Sequence, residues 1–247
     1  MGSNRKTPHI GRIRRAEGWQ TTEKSALTKK EKVVRKGNLF VTEEISMAKY
    51  DKKKALKIIV DAAKEYNEKL RDNHFLIIYQ ENGKIKTVCV GFRDMNFLHM
   101  TGVKTHLSAQ QFYYACLNGK LSERDFEMDN TGKVQQKLMV LPFLSELLYK
   151  NCMIGSFVNN GIYIRADYFV GNTKAVLSVG FRNGKNVDFP VTLYNEDVRK
   201  LSHPTNKVLA IFVKKYNQQN YTKCTYLSKG QEIGKLACPE EIKKLIQ

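Results

Sequence analysis

The chain has 247 residues, 28.4 kDa and a formal charge of +18, from 42 Lys and Arg against 24 Asp and Glu. At 42% hydrophobic and 10% aromatic it carries enough apolar material for a packed core, so disorder along the whole length is excluded. Its apolar runs, such as Phe75 to Tyr79, are far too short to cross a bilayer, and the polar, basic N-terminus has no apolar stretch marking it for secretion. The five cysteines (Cys89, Cys116, Cys152, Cys224 and Cys238) are odd in number and widely spaced with no C-x-x-C pair, which reads as reduced thiols in a cytoplasm. The excess of positive charge points to a polyanionic partner, nucleic acid first among them.

Residues 1–36 concentrate that charge: eleven Lys and Arg stand against three Glu, a net of +8, with the only Trp of the chain, Trp19, and few large aliphatics. We read 1–46 as a basic arm, flexible or ordered by a partner, and 47–247 as one folded domain. Arg12, Arg14, Arg15, Lys29, Lys30, Arg35 and Lys36 are the candidates for phosphate contact, and Trp19 for stacking on a base; a solvated tail that improves solubility fits the same composition.

Beyond the arm, Leu56, Ile59, Ala63, Tyr66 and Leu70 recur at helical spacing, with Lys52, Lys53, Lys54, Lys57 and Lys64 opposite them. His74–Gln80 and Lys84–Phe92 flank Glu81-Asn82-Gly83 and predict a hairpin. After Asn96-Phe97-Leu98-His99-Met100-Thr101-Gly102, Ser108 is positioned to cap a helix through Leu117 that Gly119 closes. Ser122 and Asp125 suggest a further cap, and Lys133 to Tyr149 reads as a helix interrupted near Pro142. Strands are expected over Met153–Val158, Ile162–Phe169, Lys174–Arg182, Val187–Leu193 and Lys207–Val213, with turns at Asn159-Asn160-Gly161, Gly171-Asn172 and Asn183-Gly184. Asn195–Leu201 is expected to form a short helix, His203-Pro204 a loop, and Pro239 to open a terminal helix. Helices followed by a mainly antiparallel sheet define an α+β fold.

Several chemistries find no support. The chain has no G-x-x-x-x-G-K-[ST], G-x-G-x-x-G, H-E-x-x-H or G-x-S-x-G. Glu123, Asp125, Glu127 and Asp129 alternate in a way that suits neither a helix face nor a full calcium loop, and read as a solvated turn. Neither a metal nor a small-molecule cofactor is expected. Cleavage of RNA through its own 2′-hydroxyl remains open to a basic protein, since it requires an acid, a base and a cation on the phosphate. Of the five histidines (His9, His74, His99, His106, His203), His99 lies in the most distinctive string. On composition alone, a lone His among Phe97, Leu98 and Met100 reads first as a core histidine.

The string Asn96 to Val103 resembles the NFLHLTG signature of a phage-associated family in the barnase/EndoU/colicin/RelE-like nuclease superfamily. Phe112-Tyr113, Leu121-Ser122, Arg165-Ala166-Asp167, Gly171-Asn172 and Phe189-Pro190-Val191-Thr192-Leu193 follow in a similar order, so the likeness spans roughly residues 72–216. Met100 stands where the family usually has Leu, and Thr192 where Ser is common. The resemblance implies a barnase/RelE-like α+β fold and a metal-independent RNase of a phage or mobile element. It makes His99 the acid/base, Thr101 a phosphate-binding or His-orienting hydroxyl, Arg165 the cation for the phosphate, Asp167 its ion-pair partner and Thr192 a further phosphate ligand. No second histidine is placed for the complementary proton transfer, for which Lys174 and Tyr168 are the candidates. The rival reading is a non-catalytic inhibitor of anti-CRISPR type that holds a host-defence ribonucleoprotein, possibly a CRISPR effector complex, or its guide RNA through the basic arm.

Overall fold

A computed structural model describes residues 32–36, 39–43, 50–158, 165–172, 176–236 and 238–246. The chain divides into two units, Met1–Ala48 and Lys49–Gln247. In the first, strands β1 (Lys32–Lys36) and β2 (Leu39–Glu43) pair antiparallel with Lys36 opposite Leu39. Arg35 and Lys36 therefore lie on a strand, while Arg12, Arg14, Arg15, Trp19, Lys29 and Lys30 fall outside the described residues.

The second unit opens with helix α1 (Lys52–Lys69), capped by the Asp51 side chain, which accepts the Lys54 N–H at 2.7 Å. Its buried stripe is Ala55, Ile59, Ala62, Ala63 and Tyr66, with the small alanines letting it lie close against its neighbours. Strands β3 (Asn73–Glu81) and β4 (Lys84–Gly91) then form the expected hairpin. Asn82 and Gly83 take φ of 50° and 76°, the left-handed pair that matches the twist of the two strands.

Five short elements follow: helix α2 (Phe97–Thr101), strand β5 (Lys104–Thr105), helix α3 (Ala109–Leu117), strand β6 (Phe126–Glu127) and helix α4 (Lys133–Val140). A 3-10 segment, Leu141–Tyr149, continues α4, with Pro142 in its first turn. Ser108 caps α3 by accepting from the Gln111 N–H, and the Gln111 side chain accepts from the Ser108 N–H in return. No helix follows Ser122; the Asp125 carboxylate instead accepts from both its N–H and its hydroxyl, closing a turn.

The remaining elements are β7 (Met153–Phe157), β8 (Tyr168–Asn172), β9 (Leu177–Arg182), β10 (Phe189–Tyr194), α5 (Val198–Leu201), β11 (Ser202–Lys215), β12 (Lys223–Leu227) and α6 (Glu240–Lys243). The main sheet has eight strands in the order β10-β9-β8-β7-β11-β3-β4, with β12 also on β11, and every pairing in it is antiparallel. The fold is α+β. β11 starts five residues before the expected Lys207 and takes in His203-Pro204, because its first half pairs with β7 and its second half with β3 and β12. Gly171-Asn172, expected as a turn, ends β8; a side chain on Gly171 would begin 2.5 Å from Ser178 Oγ and 2.6 Å from Val198 Cβ, so the glycine serves close packing.

One face of the sheet meets α1–α4 and the 3-10 segment in the largest core, where Tyr66, Phe75, Phe92, Phe97, Tyr113 and Phe181 are almost wholly buried. Their rings meet edge to face, as in Tyr66–Phe97 at 5.2 Å and Phe92–Phe181 at 5.9 Å. Two smaller clusters cover the other face, one under the C-terminal segment and one under α5. The sheet curls until its ends touch: Gly91 N–H donates to Asp188 O at 2.9 Å, and Asp188 N–H to Cys89 O at 2.8 Å. Among the described residues no helix is long and apolar enough to cross a membrane.

Candidate active site

The string Asn96 to Gly102 folds as a single tight turn of helix, and each of its residues has a definite place. The Asn96 side chain accepts from the Arg93 N–H at 2.9 Å and donates to the Pro190 carbonyl at 3.4 Å, tying the turn to β10. Phe97 is fully buried among Tyr66 and Tyr113, and Met100 is fully buried beside it. The Thr101 hydroxyl donates to Leu98 O at 2.8 Å and accepts from Val103 N–H at 3.3 Å, so it holds the turn from inside. Gly102 ends α2 at φ +75°. With its neighbours turned inward or half-buried, His99 is the side chain the turn puts into solvent. The reading of His99 as a core histidine does not hold: Phe97 and Met100 are buried on one side of a five-residue helix, and of the two residues between them Leu98 is half-buried and His99 exposed.

His99 lines an open groove of about 410 Å³ shared with Lys104, Thr105, Lys137 and Val191. Lys104 is exposed on β5, whose two residues pair with β6. Thr105 is held by its hydroxyl, which donates to Asp125 O at 2.5 Å. Val191 enters at a register shift in β10 between Pro190 and Thr192, which turns it out of the regular alternation. Lys137 reaches in from α4, and its amine donates to the His99 main-chain carbonyl at 2.7 Å. Burial disfavours the charged ammonium and brings the Lys137 pKa down to about 8, against the pull of the Asp129 carboxylate. Lys137 was not singled out by sequence reasoning, although a signal exists: it interrupts the apolar run Val134, Leu138, Leu141, all buried.

The other sequence-derived residues are not gathered here. Thr192 lies over Gly180 with Ala166 and Phe169, next to the cluster under α5, while its neighbour Val191 lines the groove. Arg165 and Asp167 precede β8, so the alternation of a strand does not place them on a common face. Asp167 accepts from the Asn183 N–H at 2.7 Å instead of pairing with Arg165, and Arg165 is exposed with no ion pair among the described residues. Asp167 and Phe189 flank β9, so two strand spacings, about 10 Å, separate Asp167 from β10. Tyr168 is stacked on Phe181 and donates to Asp188 at 2.8 Å; burial first, and then Asp188, hold its phenol proton well above the usual tyrosine range. Lys174 lies outside the described residues. Three members of the acidic run have partners: Asp125 accepts from Ser122, Asp129 from Thr131, and Glu127 pairs with Lys52 at 2.8 Å.

The chain matches the phage-Barnase-EndoU-ColicinE5/D-RelE like nuclease4 family over residues 58–230, and it belongs to that family. The match takes in α1 from residue 58 onward and all of β12 as well as the region of the NFLHMTG turn. No curated protein and no solved structure matches the chain.

Proposed function

We propose that the chain is a metal-independent endoribonuclease of a phage or other mobile element, acting in the cytoplasm on RNA or ribonucleoprotein. The observation that carries this reading is the display of His99 by a turn whose other residues are committed to structure, over a groove that also presents two cations. An imidazole there takes the proton of the 2′-hydroxyl as its oxygen attacks phosphorus, and cations hold the charge that builds on the phosphate oxygens. The products are a 2′,3′-cyclic phosphate and a 5′-hydroxyl. Thr101 acts as a positioning residue that fixes the turn carrying His99. Arg165, exposed and without an ion pair among the described residues, is assigned to a flanking phosphate. The basic residues of 1–36 would add phosphate contacts outside the groove.

The test is cleavage of end-labelled transfer RNA, guide-type RNA and a single strand in excess chelator, by wild type and by His99→Ala. The expected result is discrete cuts with cyclic-phosphate ends, slowed on the order of a hundredfold or more in the variant. RNA left intact by wild type but shifted on a gel would overturn the nuclease and favour the non-catalytic inhibitor. Deleting residues 1–36 should weaken cleavage without abolishing it.

A further inference from the structure

Transesterification of RNA needs two proton transfers, and His99 accounts for one. The groove holds one further side chain placed for the other, an inference that rests on the ribonuclease reading above. Lys137 sits where helix α4 would ordinarily place an apolar residue, between Val134 and Leu141 on the buried stripe. Its stem runs across Gly102, and a side chain at Gly102 would begin 2.7 Å from Lys137 Cδ. The glycine of the turn thus opens the path by which the lysine reaches the groove. The amine is then fixed by its 2.7 Å hydrogen bond to the carbonyl of His99 itself. One ammonium proton is used in that bond, and two remain for the groove.

A solvated lysine holds its proton too firmly to give it up at neutral pH, but this one is half-buried. The ionisable groups facing it are His99 from α2, Lys104 from β5 and Asp129 from the segment before α4; β10 contributes the uncharged Val191. Only one of these is a carboxylate, and burial outweighs it, leaving the amine with a pKa of about 8, close to that of an efficient donor near neutral pH.

We propose that Lys137 is the general acid of this site. As the 2′-oxygen forms its bond to phosphorus and gives its proton to His99, the bond from phosphorus to the 5′-oxygen breaks and that oxygen takes a proton from the Lys137 ammonium. The step leaves a cyclic phosphate, a free 5′-hydroxyl, an imidazolium and a neutral amine, and water returns the proton from the first to the second. The rival role is structural, in which the amine only caps α2 and attracts phosphate.

Lys137→Arg separates the two, because guanidinium keeps the long stem, the charge and the hydrogen-bond donor but does not release a proton. Each variant is assayed on RNA with an ordinary 5′-oxygen at the cut and on the same RNA with bridging 5′-sulfur, whose thiolate leaves without protonation. On ordinary RNA, Lys137→Arg and Lys137→Met should lose on the order of a hundredfold or more in kcat, and the wild-type rate should fall above about pH 8. With sulfur, Lys137→Arg should come back to within about tenfold of wild type and the alkaline fall should vanish, whereas His99→Ala stays slow on both. Lys137→Arg cutting ordinary RNA as wild type does, or losing equally on both substrates, overturns the general acid and leaves the nuclease standing. Wild type cutting neither substrate overturns both. Thermal melts of each variant show whether a loss reflects unfolding, and the conservative Arg variant keeps the test valid if Met does not fold.

Discussion

The dependence of Lys137 on Gly102 can be measured as a free energy without any substrate. Gly102→Ala has two costs. A side chain at φ +75° is strained by about 1 kcal/mol. The new Cβ also lies 2.7 Å from Lys137 Cδ and 3.4 Å from Cε, so the stem must swing away and the amine must leave the His99 carbonyl at 2.7 Å. That charged but half-exposed hydrogen bond is worth about 1–1.5 kcal/mol, for a total near 2–2.5 kcal/mol. Gly119→Ala is the control, since φ there is +64° and nothing lies within 4 Å of its added Cβ; it should cost about 1 kcal/mol. At roughly 2–4 °C per kcal/mol, the melting temperature should fall by about 4–10 °C for Gly102→Ala and about 2–4 °C for Gly119→Ala. Urea melts of Gly102→Ala, Lys137→Ala and the pair should then give a coupling of about 1 kcal/mol, because alanine at 137 removes the atoms that collide. Equal costs at the two glycines, together with strictly additive costs for Gly102→Ala and Lys137→Ala, would refute the contact on which the geometry of the groove rests.

Thr101→Val removes the buried hydroxyl that joins Leu98 O to Val103 N–H and leaves that N–H unpaired, at a cost of about 1–3 kcal/mol by thermal melt; Thr101→Ser, which keeps the hydroxyl, should cost clearly less. Glu146 is held below the usual carboxylate range, by Lys69 at 2.5 Å first and Lys150 at 3.1 Å second. A depressed carboxyl pKa stabilises the fold above the unfolded value of about 4.3 and loses that contribution as pH falls through the folded one. Glu146 and Lys69 are each about a third exposed and Lys150 is more so, so Glu146→Gln should cost no more than about 1 kcal/mol at pH 7 and progressively less as the pH falls through the folded value; urea melts giving the same gap at pH 7 and in acid would contradict this.

Local chemistry alone was enough for the elements whose cause lies within a few residues. Asn82-Gly83 can take two left-handed conformations in succession, so the β3–β4 hairpin was legible in full. Ser108 announced the start of α3, and the spacing of Ile59, Ala63 and Tyr66 announced the buried side of α1. The NFLHMTG string carried the resemblance to a family, and that family is the one to which the chain belongs. The side on which His99 would fall was not legible, because Phe97 and Met100 say that the turn is packed but not which flank faces the helices.

What remained was decided by residues far apart in sequence. Glycine reads as a turn when taken alone, yet Gly171 is a strand residue because Ser178 and Val198 press against it. β11 extends through His203-Pro204 because β7 pairs with its first half, a partner some fifty residues earlier. Arg165 and Asp167 look like a pair at strand spacing, but the strand begins after them and the carboxylate turns to Asn183. Lys137 shows the same limit most fully. A lysine on an apolar stripe signals an unusual environment, but its meeting with His99, 38 residues earlier, requires α4 to cross the end of α2 at the one residue without a side chain. Sequence determines local conformation through short-range sterics and hydrogen bonds, whereas the lowered proton affinity of that amine arises from burial, which exists only once the chain has packed.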